Sequence, residues 1–257
     1  MTEFADLQLA PPKGTTFLVV GGCGGIGRVL VKAALDAELD VAVMDLERTM
    51  ALHPVPTGAR SIRIDATDEQ AVTRAFDELK RSWSGLGALV NLAGFTNDQV
   101  PVDQVPAAEF DSIVAGSLRS TYLVAHAAVP MMKASGGGAI VHTASGLASN
   151  VRPGFGAYGA AKAGVIALTK AIARESGPTI RANCIAPGAV DTEFLKGGTG
   201  REAHEQRLDW AAYTKMIPLG RLAEPLDVVG PILFLAGPAS RYMSGQVLWI
   251  NGGALTP

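Results

Sequence analysis

Three side chains in the middle of the chain could form a proton-transfer site. Tyr158 and Lys162 are four residues apart, so on a helix their side chains share one face, one turn apart. An ammonium beside a phenol favours the phenolate, so we expect Lys162 to move the pKa of Tyr158 towards neutrality. Tyr158 would then protonate a carbonyl oxygen or deprotonate an alcohol. Ser145, at the end of a predicted strand, would hold that oxygen. Taken alone, the pair also fits an exposed tyrosine beside a solvated lysine.

A glycine-rich segment near the N-terminus, GGCGGIG at residues 21–27, could bring a nucleotide to this site. It follows an apolar β-branched run and precedes an amphipathic helix pattern. In such a strand–loop–helix unit, backbone N–H groups at the helix N-terminus bind a pyrophosphate. Its glycines fit two registers, either Gly22, Gly24 and Gly27 or Gly21, Gly25 and Gly27. The segment therefore predicts dinucleotide binding in either register.

Asp45, at the end of the second predicted strand, favours NAD over NADP as the cofactor. It lies about 20 residues after the glycine segment, where an acid accepts hydrogen bonds from the adenosine ribose hydroxyls and repels a 2′-phosphate. Arg48 is the nearest cation that could accept such a phosphate. A solvated aspartate at a strand end is the simpler alternative. Cys23 sits where a helix N-terminus favours a thiolate, although a small space-filling residue is the plainer interpretation.

Strand and helix patterns alternate along the whole chain. Strands are predicted at residues 15–20, 41–45, 61–65, 88–94, 138–145, 180–186 and 246–250. This alternation predicts an α/β fold, a Rossmann-type doubly wound parallel sheet of about seven strands with helices on both faces. We expect a single domain over residues 1–257, with a tail at 1–14. The irregular segment 190–218 is long enough to act as a substrate-binding lid.

The composition argues against several classes of function. The 22 basic and 24 acidic residues give a net charge of −2 without a charged block, which argues against nucleic acid or an anionic membrane as partner. Two cysteines make no disulfide framework. The sequence has no secretory signal and no membrane-spanning run, so we expect a cytoplasmic protein. The histidines lack metal-like spacing, and we predict no metal site. They are His53, His126, His142 and His204.

These segments together resemble the short-chain dehydrogenase/reductase family, in its single-domain branch. The segment GGCGGIG resembles the family's cofactor loop and NLAG at 91–94 its fourth-strand motif. Ser145, Tyr158 and Lys162 resemble its catalytic set. The segment APGAVDT at 186–192 and the ending GRLAEP…FLAG…SGQVLWINGG resemble its later motifs. The resemblance runs in consistent order over residues 15–253.

The resemblance implies a cofactor site, a tetramer and a set of roles. Lys162 would also bond the nicotinamide ribose, and Asp65 and Ala66 would border the adenine. Members usually assemble as homotetramers through two central helices, and small residues on the helix from Ala157 would allow this contact. The expected cofactor residues are Gly21, Cys23, Gly24, Gly25, Ile26, Gly27, Asp45, Asp65, Ala66, Asn91, Ala93, Gly94, Tyr158, Lys162, Pro187, Gly188, Val190 and Thr192.

The chain departs from the family pattern at two positions. Val20 stands where the family usually has threonine, so one supporting hydrogen bond is missing. Ser117 stands where the family normally has an asparagine that is associated with a water-mediated proton relay from the lysine. A serine is shorter but can still donate and accept hydrogen bonds. We therefore expect Ser117 to act as a fourth catalytic residue in an altered relay through water.

The predicted substrate pocket is mainly apolar and aromatic. Its central residues are Ser145, Leu147, Tyr158, Phe155 and Phe95, and the segment bearing Phe194, Leu195, Trp210, Tyr213 and Met216 would close it. This lining favours a neutral, partly hydrophobic alcohol or ketone. Arg152 is the nearby cation that could meet a carboxylate, and a solvated loop arginine is its simpler interpretation.

The leading hypothesis is an NAD-dependent oxidoreductase that interconverts a secondary alcohol and a ketone, with the nicotinamide carrying the hydride. One alternative is an NAD-binding regulatory or sensor protein on the same fold. Others are a 3-oxoacyl-thioester reductase-like activity and a dehydratase or epimerase. The presence of both the tyrosine and the lysine favours an enzyme over a sensor. Accumulation of NADH would separate oxidation from dehydration or epimerisation.

Overall fold

A computed structural model of the chain describes residues 8–96, 99–201 and 210–256. Part of the predicted tail, the middle of the predicted lid and His204 therefore lie outside the described residues. Within the described part, no helix combines the length and apolar character needed to cross a bilayer. The same residues contain no cluster of three or more His, Cys, Asp or Glu suited to a metal ion.

Seven parallel strands form a single sheet in the order β3-β2-β1-β4-β5-β6-β7. The strands are β1 Thr16–Val20, β2 Asp40–Asp45, β3 Arg60–Arg63, β4 Ala88–Asn91, β5 Gly138–Thr143, β6 Ile180–Pro187 and β7 Val247–Ile250. The predicted doubly wound sheet is confirmed. The prediction extended β3, β4 and β5 too far, because the residues after these strands leave the ladder and line the cavity described below.

Helices cover both faces of this sheet. They are α1 Gly25–Asp36, α2 Glu47–Leu52, α3 Glu69–Ser82, α4 Ala107–Val114, α5 Ser120–Ala134, α6 Gly156–Glu175, α7 Trp210–Lys215 and α8 Pro225–Ala236. One buried cluster contains Phe76 of α3 and Met132 of α5. The other contains Leu30 of α1 and Ile232 of α8. Strands sandwiched between two apolar clusters require continuous apolar runs, which is the pattern that their sequences show.

Helix α6 carries Tyr158 and Lys162 on its buried face. Two of its small residues pack inside the protomer. A Cβ on Gly164 would lie 2.7 Å from Leu118 of the same chain, and Ala161 is buried. Ala160 and Ala167 are exposed. Gly164 therefore lets this helix pack closely against the segment before α5.

Candidate functional site

A cavity of about 660 Å³ opens at the carboxyl ends of the strands. It passes the glycine segment, the end of β2 and the residues after β4, and reaches the face of α6. From β1 the chain builds the sheet in one direction through β2 and β3, and from β4 it builds in the other direction. Parallel sheets bind ligands in the crevice at such a switch point, here between β1 and β4. The topology thus gathers residues from distant parts of the sequence at one edge of the sheet.

Most of the predicted site residues line this cavity. The predicted cofactor residues in its wall are Gly21, Gly24, Gly25, Ile26, Gly27, Asp45, Asp65, Ala66, Ala93, Gly94, Tyr158, Lys162, Pro187, Gly188, Val190 and Thr192. The predicted substrate residues Ser145, Leu147, Phe155 and Phe95 line it as well. Cys23, Asn91 and Ser117 are buried behind the wall. Met216 is 64% exposed and lies outside the lining, so its predicted place in the pocket is wrong.

Some lining residues were not predicted. Asn251 and Leu255 reach the cavity from the segment after β7, and Ala115 and Gly116 reach it from a π-helical turn, Ala115–Arg119. Arg201 enters from the segment after β6. The position of Asn251 directly after a strand was a usable signal, because all parallel strands end at this edge. No local pattern distinguishes Ala115, Gly116 or Arg201.

The geometry of the glycine segment favours one of the two registers. A Cβ on Gly27 would lie 2.2 Å from the carbonyl oxygen of Gly21, and one on Gly25 would lie 2.5 Å from Thr192. Both are closer than atoms can approach. A Cβ on Gly24 would come no nearer than 3.4 Å to the same Gly21 oxygen. Gly21 has a φ of 81°, which also favours glycine. Gly22 is crowded too, at 2.7 Å from Val43, so the contrast between Gly24 and Gly25 is what favours the register formed by residues 21, 25 and 27.

Asp45 ties the end of β2 to the glycine segment. Its carboxylate accepts hydrogen bonds from the backbone N–H of Cys23 at 2.8 Å and of Leu46 at 2.7 Å. Burial raises the pKa of this carboxyl, while these hydrogen bonds oppose the rise. Asp45 thus fixes the shape of the loop as well as lining the cavity.

Cys23 is a space-filling residue in this structure. Its side chain is 2% exposed and packs in the cluster of α1 and α8. Burial raises the pKa of the thiol to about 11, and the nearby Asp45 carboxylate acts in the same direction. A thiolate at this helix N-terminus is therefore disfavoured, which supports the plainer of the two interpretations.

Lys162 is a buried cation held at the end of β5. Its Nζ donates a hydrogen bond to the carbonyl oxygen of Thr143 at 2.8 Å and lies 5.7 Å from the ring centre of Tyr158. The side chain is only 2% exposed. Burial lowers the pKa of Lys162 to about 8, because an ammonium without water is costly.

Tyr158 differs from the sequence-based expectation. Burial raises the pKa of its phenol above the ordinary value, and a hydrogen bond with Ser145 only partly offsets this. Desolvation of the phenolate is the largest cause, and the pKa does not move towards neutrality. A protonated phenol is the form that can donate a proton to a carbonyl oxygen.

Ser145 is oriented by the turn that follows β5. Its Oγ accepts a hydrogen bond from the backbone N–H of Leu147 at 3.2 Å and caps a short 3₁₀ turn over Gly146–Ala148. The Leu147 contact uses only the acceptor side of the group, and the hydroxyl also forms the hydrogen bond with the Tyr158 phenol. Ser145 and Tyr158 thus lie side by side in the cavity wall.

Ser117 lies behind the cavity, on the buried side of Lys162. It belongs to the π-helical turn, a feature often found at functional sites. If residue 94 carried a Cβ atom, that atom would lie 3.1 Å from Lys162 Nζ and 3.4 Å from Ser117 Oγ. The ammonium and the hydroxyl therefore both lie next to Gly94. Three buried polar atoms in this region have no partner among the described residues, namely Ser117 Oγ, Thr143 Oγ1 and His142 Nε2. Such a cluster suits a relay through water.

We expect Ser117→Ala to lower kcat modestly and to alter the pH–rate profile. Losing one relay hydrogen bond should reduce the rate by about two- to tenfold. The melting temperature should not fall, because the Ser117 hydroxyl has no protein partner to lose among the described residues. Steady-state rates across pH and thermal unfolding check both parts. An unchanged rate and profile would show that Ser117 has no relay role.

Known proteins resemble this chain in sequence and in fold. Residues 21–255 match the family model described as enoyl-(acyl carrier protein) reductase. An uncharacterized short-chain type dehydrogenase/reductase of Sinorhizobium fredii is 36% identical, covering 95% of this chain and 98% of the relative. A 3-oxoacyl-[acyl-carrier-protein] reductase of Chlamydia pneumoniae is 33% identical, covering 93% and 96%. The solved structure of a short-chain type dehydrogenase/reductase from Mycobacterium ulcerans has a TM-score of 0.82 at 29% identity, covering 95% and 90%.

Proposed function

Because the chain belongs to the short-chain dehydrogenase/reductase family of oxidoreductases, we propose that it interconverts a secondary alcohol and a ketone with NAD. The observation that carries this proposal is the convergence of Ser145, Tyr158 and Lys162 beside a cavity that continues to the glycine segment. A substrate oxygen can meet the first two side chains only at one end of this cavity. The rest of it is then free for the cofactor.

The residues of the cavity fit a nicotinamide dinucleotide. The glycine segment lines the cavity at the start of α1, and no side chain caps the first N–H groups of this helix, so they could bind a pyrophosphate. Asp45 would accept the adenosine ribose hydroxyls, and Asp65 and Ala66 would border the adenine. Lys162 would bond the nicotinamide ribose. When bound, the nicotinamide supplies or accepts the hydride.

The side chains of this protein would bind the substrate oxygen and transfer the proton. In reduction, Ser145 donates a hydrogen bond to the carbonyl oxygen and Tyr158 transfers its proton to that oxygen. In oxidation, the alcohol proton passes to the phenolate form of Tyr158. Burial favours the neutral form of the phenol, so Tyr158 carries the proton that this step requires. Lys162 stabilises the negative charge that remains on the tyrosine oxygen after the transfer.

The choice of NAD rests on Asp45. We expect wild-type kcat/KM for NAD to exceed that for NADP by at least about tenfold, the ratio given by one lost charge-assisted hydrogen bond plus repulsion. The assay is NADH or NADPH formation across a panel of secondary alcohols. Asp45→Asn should shrink this ratio, with Asp111→Asn, on the exposed side of α4, as a control. A wild-type preference for NADP would contradict the assignment.

Reduction of a 3-oxoacyl thioester is the second candidate. The similarity to the Chlamydia pneumoniae reductase over most of both chains favours it. It uses the same hydroxyl, phenol and ammonium groups and differs only in the substrate. Oxidation of reduced cofactor with an acetoacetyl thioester, measured beside simple ketones, separates the two candidates.

A further inference from the structure

Two hydrogen-bond donors at the substrate end of the cavity have no acceptor in the described part of the chain. They are the guanidinium of Arg152 and the indole N–H of Trp210. We propose that together they bind a carboxylate, so that the substrate is a secondary hydroxy acid or the matching keto acid. This inference rests on the proposed function and names the substrate class.

Arg152 presents its guanidinium to the cavity from the loop between β5 and α6. The residue lines the cavity and is half-buried. Its guanidinium carbon lies 4.5 Å from the ring centre of Tyr213, a cation–π contact with a side chain that is 7% exposed. Stacking on a ring leaves the in-plane N–H edges open, and these edges match the two oxygens of a carboxylate. No carboxylate among the described residues pairs with Arg152.

Trp210 supplies the second donor. Its ring packs edge-on against Tyr213 with centroids 5.8 Å apart, and the residue lines the same cavity. The indole Nε1 is buried without a hydrogen-bond partner among the described residues. A buried unsatisfied donor is costly, and a bound acceptor would relieve that cost. Because Arg152 and Trp210 both contact Tyr213, the two donors flank one side chain.

The charges around the cavity leave Arg152 without a counter-ion. Among the described lining residues the acids are Asp45 and Asp65, both on the glycine-segment side of the cavity. Arg201 stacks on Phe95 at 3.5 Å and interacts electrostatically with Asp65 and Arg48. The residues around Tyr158 are apolar or aromatic, including Leu147, Phe155 and Phe194. A guanidinium in such surroundings attracts an anion more strongly than one in water.

The first test compares substrates that differ only in charge. Hydroxy acids with the hydroxyl at C2, C3 or C4 and their methyl esters are assayed for NADH formation. We expect wild type to prefer the best acid over its ester by about 10- to 100-fold in kcat/KM. Arg152→Met should abolish that preference, by lowering the rate on the acid more than the rate on the ester. Trp210→Phe should partly reduce the preference for the acid over its ester. Arg81→Met, an exposed arginine of α3, is the matched control.

A second test does not depend on turnover. Calorimetry compares the binding of benzoate and benzamide to the protein with its cofactor. We expect benzoate to bind more tightly in wild type and Arg81→Met, and equally to benzamide in Arg152→Met. Equal binding of the two probes by wild type, or an Arg152→Met variant that lowers acid and ester rates alike, would overturn the inference. Selective benzoate binding without turnover of any alcohol would instead support the carboxylate site and contradict the proposed function.

Discussion

Tyr158→Phe is expected to lower kcat by about 100- to 10,000-fold, the range for loss of a general acid or base. The substitution removes only the hydroxyl, and the ring keeps its contact with Phe194, whose centroid lies 6.0 Å away. Cofactor affinity should change far less than kcat, because the glycine segment and Asp45 are untouched. Steady-state kinetics and cofactor titration measure the two quantities.

The matched control for this change is Tyr242→Phe. Tyr242 is fully exposed, so the loss of its hydroxyl should leave kcat and stability unchanged. Circular dichroism of the Tyr158→Phe protein should show the native fold. Activity within a few-fold of wild type in Tyr158→Phe would refute the assignment of this phenol as the proton donor.

Lys162→Met is expected to lower kcat by about 100-fold at neutral pH and to weaken cofactor binding. The variant loses the ammonium that would stabilise the phenolate, so the rise of the oxidation rate with pH should move to higher pH. The direction of this pH dependence follows from the pKa of Lys162, which burial lowers to about 8. The wild-type lysine is charged below that pH and loses its charge above it. The ratio of wild-type to variant rates should therefore be largest near pH 7 and shrink above about pH 8.

Lys170→Met serves as the control for this variant. Lys170 lies on the exposed face of the same helix, two turns beyond Lys162. The Lys170→Met substitution should leave the rate and its pH dependence unchanged. The Lys162→Met protein should be at least as stable as wild type to heat, because a desolvated charge is replaced by an apolar chain of similar length. A rate ratio that does not vary with pH would contradict the role given to Lys162.

The sequence predicted the architecture well because the central strands are buried on both faces. A strand such as β1 or β5 must then be a continuous apolar run, which is visible without knowledge of its neighbours. The site residues at strand ends were predictable for a related reason. Ser145 and Asp45 follow such runs, and parallel strands all end at one edge.

Other features depend on contacts between distant residues and could not be predicted from the sequence. The spacing of Tyr158 and Lys162 shows a shared helix face but not the burial that raises the pKa of the phenol. The sequence also does not show that Leu118 occupies the space beside Gly164. The stacking of Arg152 on Tyr213 joins a loop to a helix 61 residues later, 213 − 152, and only the folded chain brings them together.

In the proposed reaction, a substrate carbon exchanges a hydride with the cofactor at the site formed by Ser145, Tyr158 and Lys162. The most direct measurement uses a secondary alcohol deuterated at the carbinol carbon, with the reduced cofactor analysed by mass spectrometry. We predict one deuterium in the reduced nicotinamide from wild type, formed with a primary isotope effect, and almost none formed by Tyr158→Phe. Reduced cofactor without deuterium, or equal deuterium transfer by Tyr158→Phe, would contradict the account.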